Sequence, residues 1–337
     1  MDQTLCRTEE YKEIISTINP CAYLFGKRIL CTGGTGFLFR YFLEFLFWLN
    51  RQYHLEMSFL VTCRKNSIKI PDDKTYGSDV TWLECDLANI VLDPQSHVDI
   101  IIHAASPANK NELLKTDAYG VIHPNVIATQ HLLEIARLAR AQFLYISSGE
   151  VYPKMLEPIA EDAVLKSHPG RNYYGICKRM GELICEHYIT ACSLNVQIVR
   201  PFSIFGPGES RNSGRYFVEF ISRIASHQPI ELQSDGSQIR SHCYVSDFVT
   251  ALLHILLYGE STAYNVGNDD SILSIKACAE RINSLGAGLG VICHKPTDGN
   301  LLEDCYIPDT TKLRMLGWHP VVGIDDCIIR LLRSYKE

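Results

Sequence analysis

Residues Ile29 to Leu38 read Ile-Leu-Cys-Thr-Gly-Gly-Thr-Gly-Phe-Leu, an apolar run of strand type that enters a glycine-rich turn. A strongly apolar segment of helical length, Phe37 to Leu49, follows at once. Few folds accept that order. A buried strand that hands glycines to a helix N-terminus lets the backbone approach a phosphate, where free N–H groups and the positive end of the helix dipole meet it. Gly33 and Gly36, with Thr35, Phe37 and Leu38 beside them, are the candidates for cradling a pyrophosphate. A third glycine, which would let helix and strand pack closely, is due at position 39. This chain has Phe39 there, so that packing must be arranged differently.

Other strand-like runs, Ser58–Cys63, Thr81–Cys85, Ile100–His103, Phe143–Ile146 and Val196–Val199, alternate with helical segments. Their spacing demands crossover connections, so the expected architecture is α/β with a doubly wound parallel sheet and right-handed crossovers. Thr8–Ile18 reads as a short amphipathic helix packed on the outside of this unit. Beyond Phe202 the order becomes irregular, with helices expected near Tyr216–Ser226, Val245–Tyr258 and Ser274–Ser284, a smaller C-terminal lobe interleaved with late strands.

Composition sets limits. A chain of 337 residues is too long for one small core, and 46% hydrophobic with 21% charged residues is ordinary for a globular protein. A net charge of −6 argues against a nucleic-acid partner. No run of 18 apolar residues exists, and Arg40 and Glu44 interrupt the most apolar segment, so no membrane span is expected. The first residues lack an apolar signal core, which points to a cytoplasmic location. Thirteen cysteines without a Cys-x-x-Cys pair read as reduced thiols, and twelve histidines without paired-ligand spacing predict no metal.

Chemistry is concentrated in two segments. Tyr174 and Lys178 stand four apart in a helical stretch, which stacks phenol and ammonium on one face. A cation beside a phenol favours the phenolate and lowers its pKa from about 10, which suits proton exchange with a sugar or alcohol hydroxyl. The strand Phe143–Ile146 ends in Ser147-Ser148-Gly149-Glu150, hydroxyls and a carboxylate at the carboxyl end of a strand, where ligands of open α/β sheets sit.

Together these motifs resemble the extended short-chain dehydrogenase/reductase family, the nucleotide-sugar epimerases, dehydratases and decarboxylases, from Gly26 to about Tyr335. The resemblance implies a Rossmann sheet, an N-terminal helical extension over 1–24, an NAD(P)-binding domain over 25–201 and a substrate-binding lobe over 202–337. Thr-Gly-Gly-Thr-Gly-Phe-Leu at 32–38 looks like the cofactor loop. Asp86-Leu87 looks like the adenine-contacting pair, and His103-Ala104-Ala105-Ser106-Pro107 like the segment under the cofactor. Asn125 falls where the family keeps a structural Asn, and Pro201 at the strand end that borders the cofactor. Ser148, Tyr174 and Lys178 match the catalytic triad. Arg240 matches a basic residue that meets the sugar nucleotide's diphosphate, and Arg215 lies in the segment that sets substrate specificity.

Two details refine the expectation. Strand two ends in Cys63-Arg64-Lys65, without the acid that would take a ribose 2′-OH. Arg64 could neutralise a 2′-phosphate, which reads as NADP, or stack on adenine of plain NAD. The self-recycling chemistry of the family favours NAD. In 4,6-dehydratases the residues after the catalytic hydroxyl are Asp and Glu; here they are Gly149 and Glu150, which matches the decarboxylases of UDP-glucuronate better. The resemblance therefore implies a polysaccharide-precursor enzyme that oxidises C4 of a nucleotide-diphosphate sugar to a 4-keto intermediate and acts as a decarboxylase or 4,6-dehydratase-like lyase. The alternatives are a 4-epimerase, an NADPH-dependent 4-keto-sugar reductase, and a cofactor-sensing protein without turnover. A homodimer is expected, with helices Asn125–Ala139 and Tyr174–Thr190 pairing across a twofold axis and Val126, Leu132, Leu133, Ile135 and Ala136 supplying more than one apolar face.

Overall fold

The protein is seen in a computed structural model that describes residues 3–63, 79–92, 97–108, 110–153, 157–163, 173–286, 288–294 and 305–336. Its centre is one wholly parallel sheet: β1 (Arg28–Thr32), β2 (Ser58–Cys63), β3 (Val80–Glu84), β4 (Ile100–His103), β5 (Gln142–Ile146), β6 (Val196–Pro201) and a last strand, Ala263–Val266. Across the sheet the order is last strand, β6, β5, β4, β1, β2, β3. The chain winds outward from β1 to β3, then returns to the other side of β1 with β4. That reversal between β1 and β4 opens a crevice beyond the strand ends. Every residue of β4 and β5 is buried, as a parallel sheet covered on both faces requires.

The helix after the glycine turn runs from Phe37 to Tyr53 and buries Phe39, Phe42, Phe45, Leu46 and Leu49. The task of the missing third glycine falls to Gly34. A Cβ there would lie 2.6 Å from Val61 Cγ1 on β2 and 2.7 Å from Leu43 Cδ1 on the helix. Phe39 packs instead on Phe42, rings 5.7 Å apart and nearly perpendicular.

The N-terminal helix starts before the expected Thr8 and seats one face in the main core while the other stays exposed. It spans Gln3–Thr17, and Tyr11, Ile14 and the following Ile18 belong to the main core. Tyr11 meets the rings of Tyr41, Phe45 and Trp48 at 5.5–5.7 Å. Glu10, 4% exposed, accepts from the hydroxyls of Tyr41 at 2.5 Å and Tyr244 at 2.6 Å. Arg330, in the final helix Ile324–Lys336, lies 3.6 Å from Glu10 and donates to Glu13 at 2.9 Å. A buried carboxylate is tolerable because donors surround it.

Beyond β6 the chain carries helices Tyr216–Ala225, Val245–Tyr258 and Ile275–Leu285. Ser274 starts the last of these by accepting from the Ala277 N–H at 3.1 Å. Three short strands, Ile272–Ser274, Ile239–Ser241 and Cys305–Tyr306, form a separate sheet. No helix among the described residues is long and apolar enough to cross a membrane. Each cysteine whose side chain is described is a free thiol.

Candidate active site

The crevice is built on backbone contact. Gly33 adopts φ +73°, and a Cβ on it would sit 2.7 Å from backbone atoms of Ala104 and Ala105. Only glycine permits that approach. Thr32 Oγ1 accepts from the N–H groups of both Ala104 and Ala105 at 3.2 Å, which locks the glycine turn to the segment beyond β4. Gly36 caps the helix at Phe37 without a side-chain hydrogen bond, so it leaves the first-turn N–H groups at Phe37 and Leu38 uncapped. A Cβ on Gly36 would meet only the Gly33 carbonyl, at 3.4 Å. These residues fit a dinucleotide.

His103, fully buried, holds this floor. Its Nδ1 pairs with Thr32 Oγ1 at 2.7 Å and its Nε2 with the Pro124 carbonyl at 2.9 Å. Burial, aided by the Lys178 charge, pushes the imidazole down to about 3, so it is neutral. Asp86 is exposed past the end of β3. It accepts from the Ala88 N–H at 3.1 Å and lies 3.0 Å from His123 Nε2, with Leu87 half-buried beside it. Arg64 lies outside the described residues.

Asn125 sits in a π-helical turn, His123–Ile127, which leads into the expected helix. Its amide donates to Ser106 Oγ at 2.9 Å and to the Val121 carbonyl at 2.8 Å, while its own Oδ1 is buried without a hydrogen bond among the described residues. Pro201 closes β6 in register with Val266.

The catalytic candidates converge. Ser148 follows β5 and accepts from the Glu150 N–H at 3.1 Å. Tyr174 and Lys178 lie one turn apart on the helix Tyr173–Cys192, and the Tyr174 phenol hydrogen-bonds with Ser148 and Ser106. Lys178 Nζ donates to the Ile146 carbonyl at 2.6 Å and stands 5.9 Å from the centre of the Tyr174 ring. The structure thus brings Ser148, Glu150, Tyr174 and Lys178 together.

Their electrostatics differ from the expectation of a phenol made acidic by its lysine. Burial pushes the Tyr174 phenol up, its Ser148 hydrogen bond opposes this, and the Glu150 charge adds to it. Burial also lowers Lys178 to about 7, against the pull of Glu182. Desolvation penalises both charged forms, so the site by itself holds a neutral phenol.

The two arginines fall differently. Arg240 lies on the strand Ile239–Ser241, in register with Tyr306, and donates to the Ile239 carbonyl at 2.8 Å. Arg215 precedes the helix Tyr216–Ala225 and turns back on its own loop. It donates to the Ile204 carbonyl at 2.7 Å and to Glu209 at 3.1 Å, with its guanidinium 4.6 Å from the Phe205 ring centre.

Sequence reasoning missed a buried network behind the triad. Glu182, wholly buried, accepts from Ser147 Oγ at 2.6 Å, from Arg179 at 3.0 Å and from Arg200. Arg200 also donates to the Tyr152 hydroxyl, which donates to Asn265 at 3.0 Å. A signal was present, because Glu182 stands four residues past Lys178 on one helix face. Tyr306 was missed without any such signal.

The family model of the NAD dependent epimerase/dehydratase family matches residues 29–267. UDP-glucuronic acid decarboxylase 1 of Danio rerio is 28% identical over 316 residues, covering 92% of this chain and 73% of that one. The UDP-glucose 4-epimerase of Thermotoga maritima, solved with UDP-glucose, superposes with a TM-score of 0.75 at 19% identity, covering 91% of this chain and 98% of the other. The UDP-glucuronic acid 4-epimerase of Bacillus cereus, solved with NAD, gives 0.74 at 19%, covering 92% and 96%. With its glycine turn and its Ser148, Tyr174 and Lys178 cluster, the chain belongs to the NAD-dependent epimerase/dehydratase family.

Proposed function

We propose that this protein is an NAD-dependent lyase that decarboxylates a nucleotide-diphosphate glucuronate. The observation that carries the reading is the pair Gly149-Glu150 directly after Ser148. A carboxylate stands beside the triad, and the position from which an acid would protonate a departing C6 hydroxyl holds no side chain. That disfavours 4,6-dehydration and favours loss of C6 as CO2. The decarboxylase relatives support the same reading.

Gly33, Gly36, Phe37 and Leu38 would hold the pyrophosphate of NAD, Ala104 to Ser106 its inner face, and Asp86 its adenosine end. NAD, when bound, takes up and later returns the C4 hydrogen of the sugar. Tyr174 moves the proton of the C4 hydroxyl, and Ser148 hydrogen-bonds that oxygen. Lys178, anchored on the Ile146 carbonyl, orients the pair. Glu150 works at C5 and C6 as the carboxylate is lost, and Arg240 meets the diphosphate.

The subunit is proposed to pair with a second copy through helices Ala128–Ala139 and Tyr173–Cys192. On the latter, Tyr173, Ile176, Met180 and Leu183 form an exposed apolar stripe, and Ile127 and Leu138 are exposed beside it. Leu132, Leu133 and Ala136 of the expected set face the core instead.

Incubation with NAD and UDP-glucuronate tests the reading, with CO2 and a nucleotide pentose as the expected products. Recovery of a six-carbon sugar, epimerised or reduced, would overturn it. In Glu150→Gln, hydride transfer should continue while CO2 release stalls, so reduced cofactor accumulates in a single turnover.

A further inference from the structure

Tyr306 reaches the reactive centre from the other lobe. It ends the strand Cys305–Tyr306, in register with Arg240, and its ring packs tilted against Phe202 with centroids 4.8 Å apart. Its hydroxyl is buried and makes no hydrogen bond among the described residues. Such a group costs stability unless something else satisfies it. The hydroxyl also lies only 2.6 Å from where a Cβ on Gly149 would stand. Tyr306 therefore fills the space that a side chain at position 149 would take, between Ser148 and Glu150.

We propose that Tyr306 is a substrate-binding residue whose hydroxyl donates to the C6 carboxylate of the sugar and so selects uronates. This rests on the decarboxylase reading, in which Ser148 and Tyr174 take the C4 oxygen and the Gly149-Glu150 step faces C5 and C6. The donor is suited to the task. Burial first, and the nearby Glu150 charge second, push its pKa well up, so it stays protonated and offers a hydrogen to an anion. Glu150 alone would repel a C6 carboxylate. A neutral donor beside it offsets part of that repulsion without removing the charge of Glu150.

The test compares UDP-glucuronate with UDP-xylose, the same sugar nucleotide without C6, by calorimetric titration of the NAD-loaded protein. Tyr174→Phe serves as the background so that neither ligand turns over. Adding Tyr306→Phe should weaken UDP-glucuronate by roughly tenfold or more and leave UDP-xylose within about twofold. The melting temperature of the free protein should hold or rise, because the lost hydroxyl has no hydrogen-bond partner among the described residues; a merely structural tyrosine would lower it. Equal weakening of both ligands, or of neither, would overturn the assignment. The decarboxylase reading is judged separately, by CO2 release from the wild-type protein, so the two can fail independently.

Discussion

Arg200 grips Glu182 through two parallel hydrogen bonds, Nε to Oε1 at 2.8 Å and Nη2 to Oε2 at 2.9 Å, with both side chains out of solvent. The pair ties β6 to the triad helix, and Ser147 on the same carboxylate ties in β5. Burial works against the Arg200 charge, yet the Glu182 hydrogen bonds hold its pKa above the ordinary arginine value. Glu182→Gln should cost about 3–5 kcal/mol in denaturant unfolding, because it strands a buried guanidinium. Replacing both with methionine should recover much of that loss. Full stability in the single variant would show that the pair is dispensable.

Tyr174→Phe keeps the ring and removes the proton carrier, so turnover should fall by roughly 10²–10⁴-fold with little change in melting temperature. Steady-state kinetics on UDP-glucuronate reads this directly, and near wild-type turnover would refute the assignment.

The apolar stripe on the triad helix gives a test of association. Met180→Glu with Leu183→Glu places charges on residues that are 48% and 46% exposed in the single chain, so neither should unfold it. Sedimentation should give twice 38.1 kDa for the wild type and 38.1 kDa for the variant. A wild-type monomer at micromolar concentration would remove the proposed interface.

A pH effect resides at the start of the helix Val245–Tyr258. Asp247 is buried there and accepts from the N–H groups of Val321 and Val322 at 3.0 and 3.1 Å. Burial raises it from 3.8 to about 6, a shift worth roughly 3 kcal/mol. A carboxyl raised in the fold contributes stability below its unfolded pKa and loses it as pH rises through about 6. The melting temperature of the wild type minus that of Asp247→Asn should therefore be larger at pH 4.5 than at pH 7.5. A difference that grows with pH would reverse the sign of this argument.

Much of this architecture was legible because period and punctuation agree locally. Apolar runs bounded by turns gave β2 and β4 to the residue, and the glycine turn placed the first strand and its helix. The candidate site was legible wherever two groups share one short segment, as Tyr174 and Lys178 do. What escaped is what only tertiary contact creates. Gly34 replaces a glycine at 39 because of how Leu43 meets Val61, a contact between residues on two elements. Tyr306 comes to Gly149 from more than 150 positions away along the chain, through a sheet whose strands are too short for a periodic signal. The neutral state of the Tyr174 phenol depends on burial, which spacing cannot report.

The embrace of Glu10 by Tyr41, Tyr244 and Arg330 has a consequence for synthesis. The helix Gln3–Thr17 leaves the ribosome before its last partner, Arg330, which is made some three hundred residues later. At roughly 5–20 residues per second that is a wait of about 15–60 s. During it Glu10 stays hydrated, and the apolar side of its helix has only part of its seat. The helix Gln3–Thr17 should therefore gain protease resistance late, once Ile324–Lys336 is made, and nascent chains stalled before Ile324 should be cut within it while chains that include Ile324–Lys336 are not.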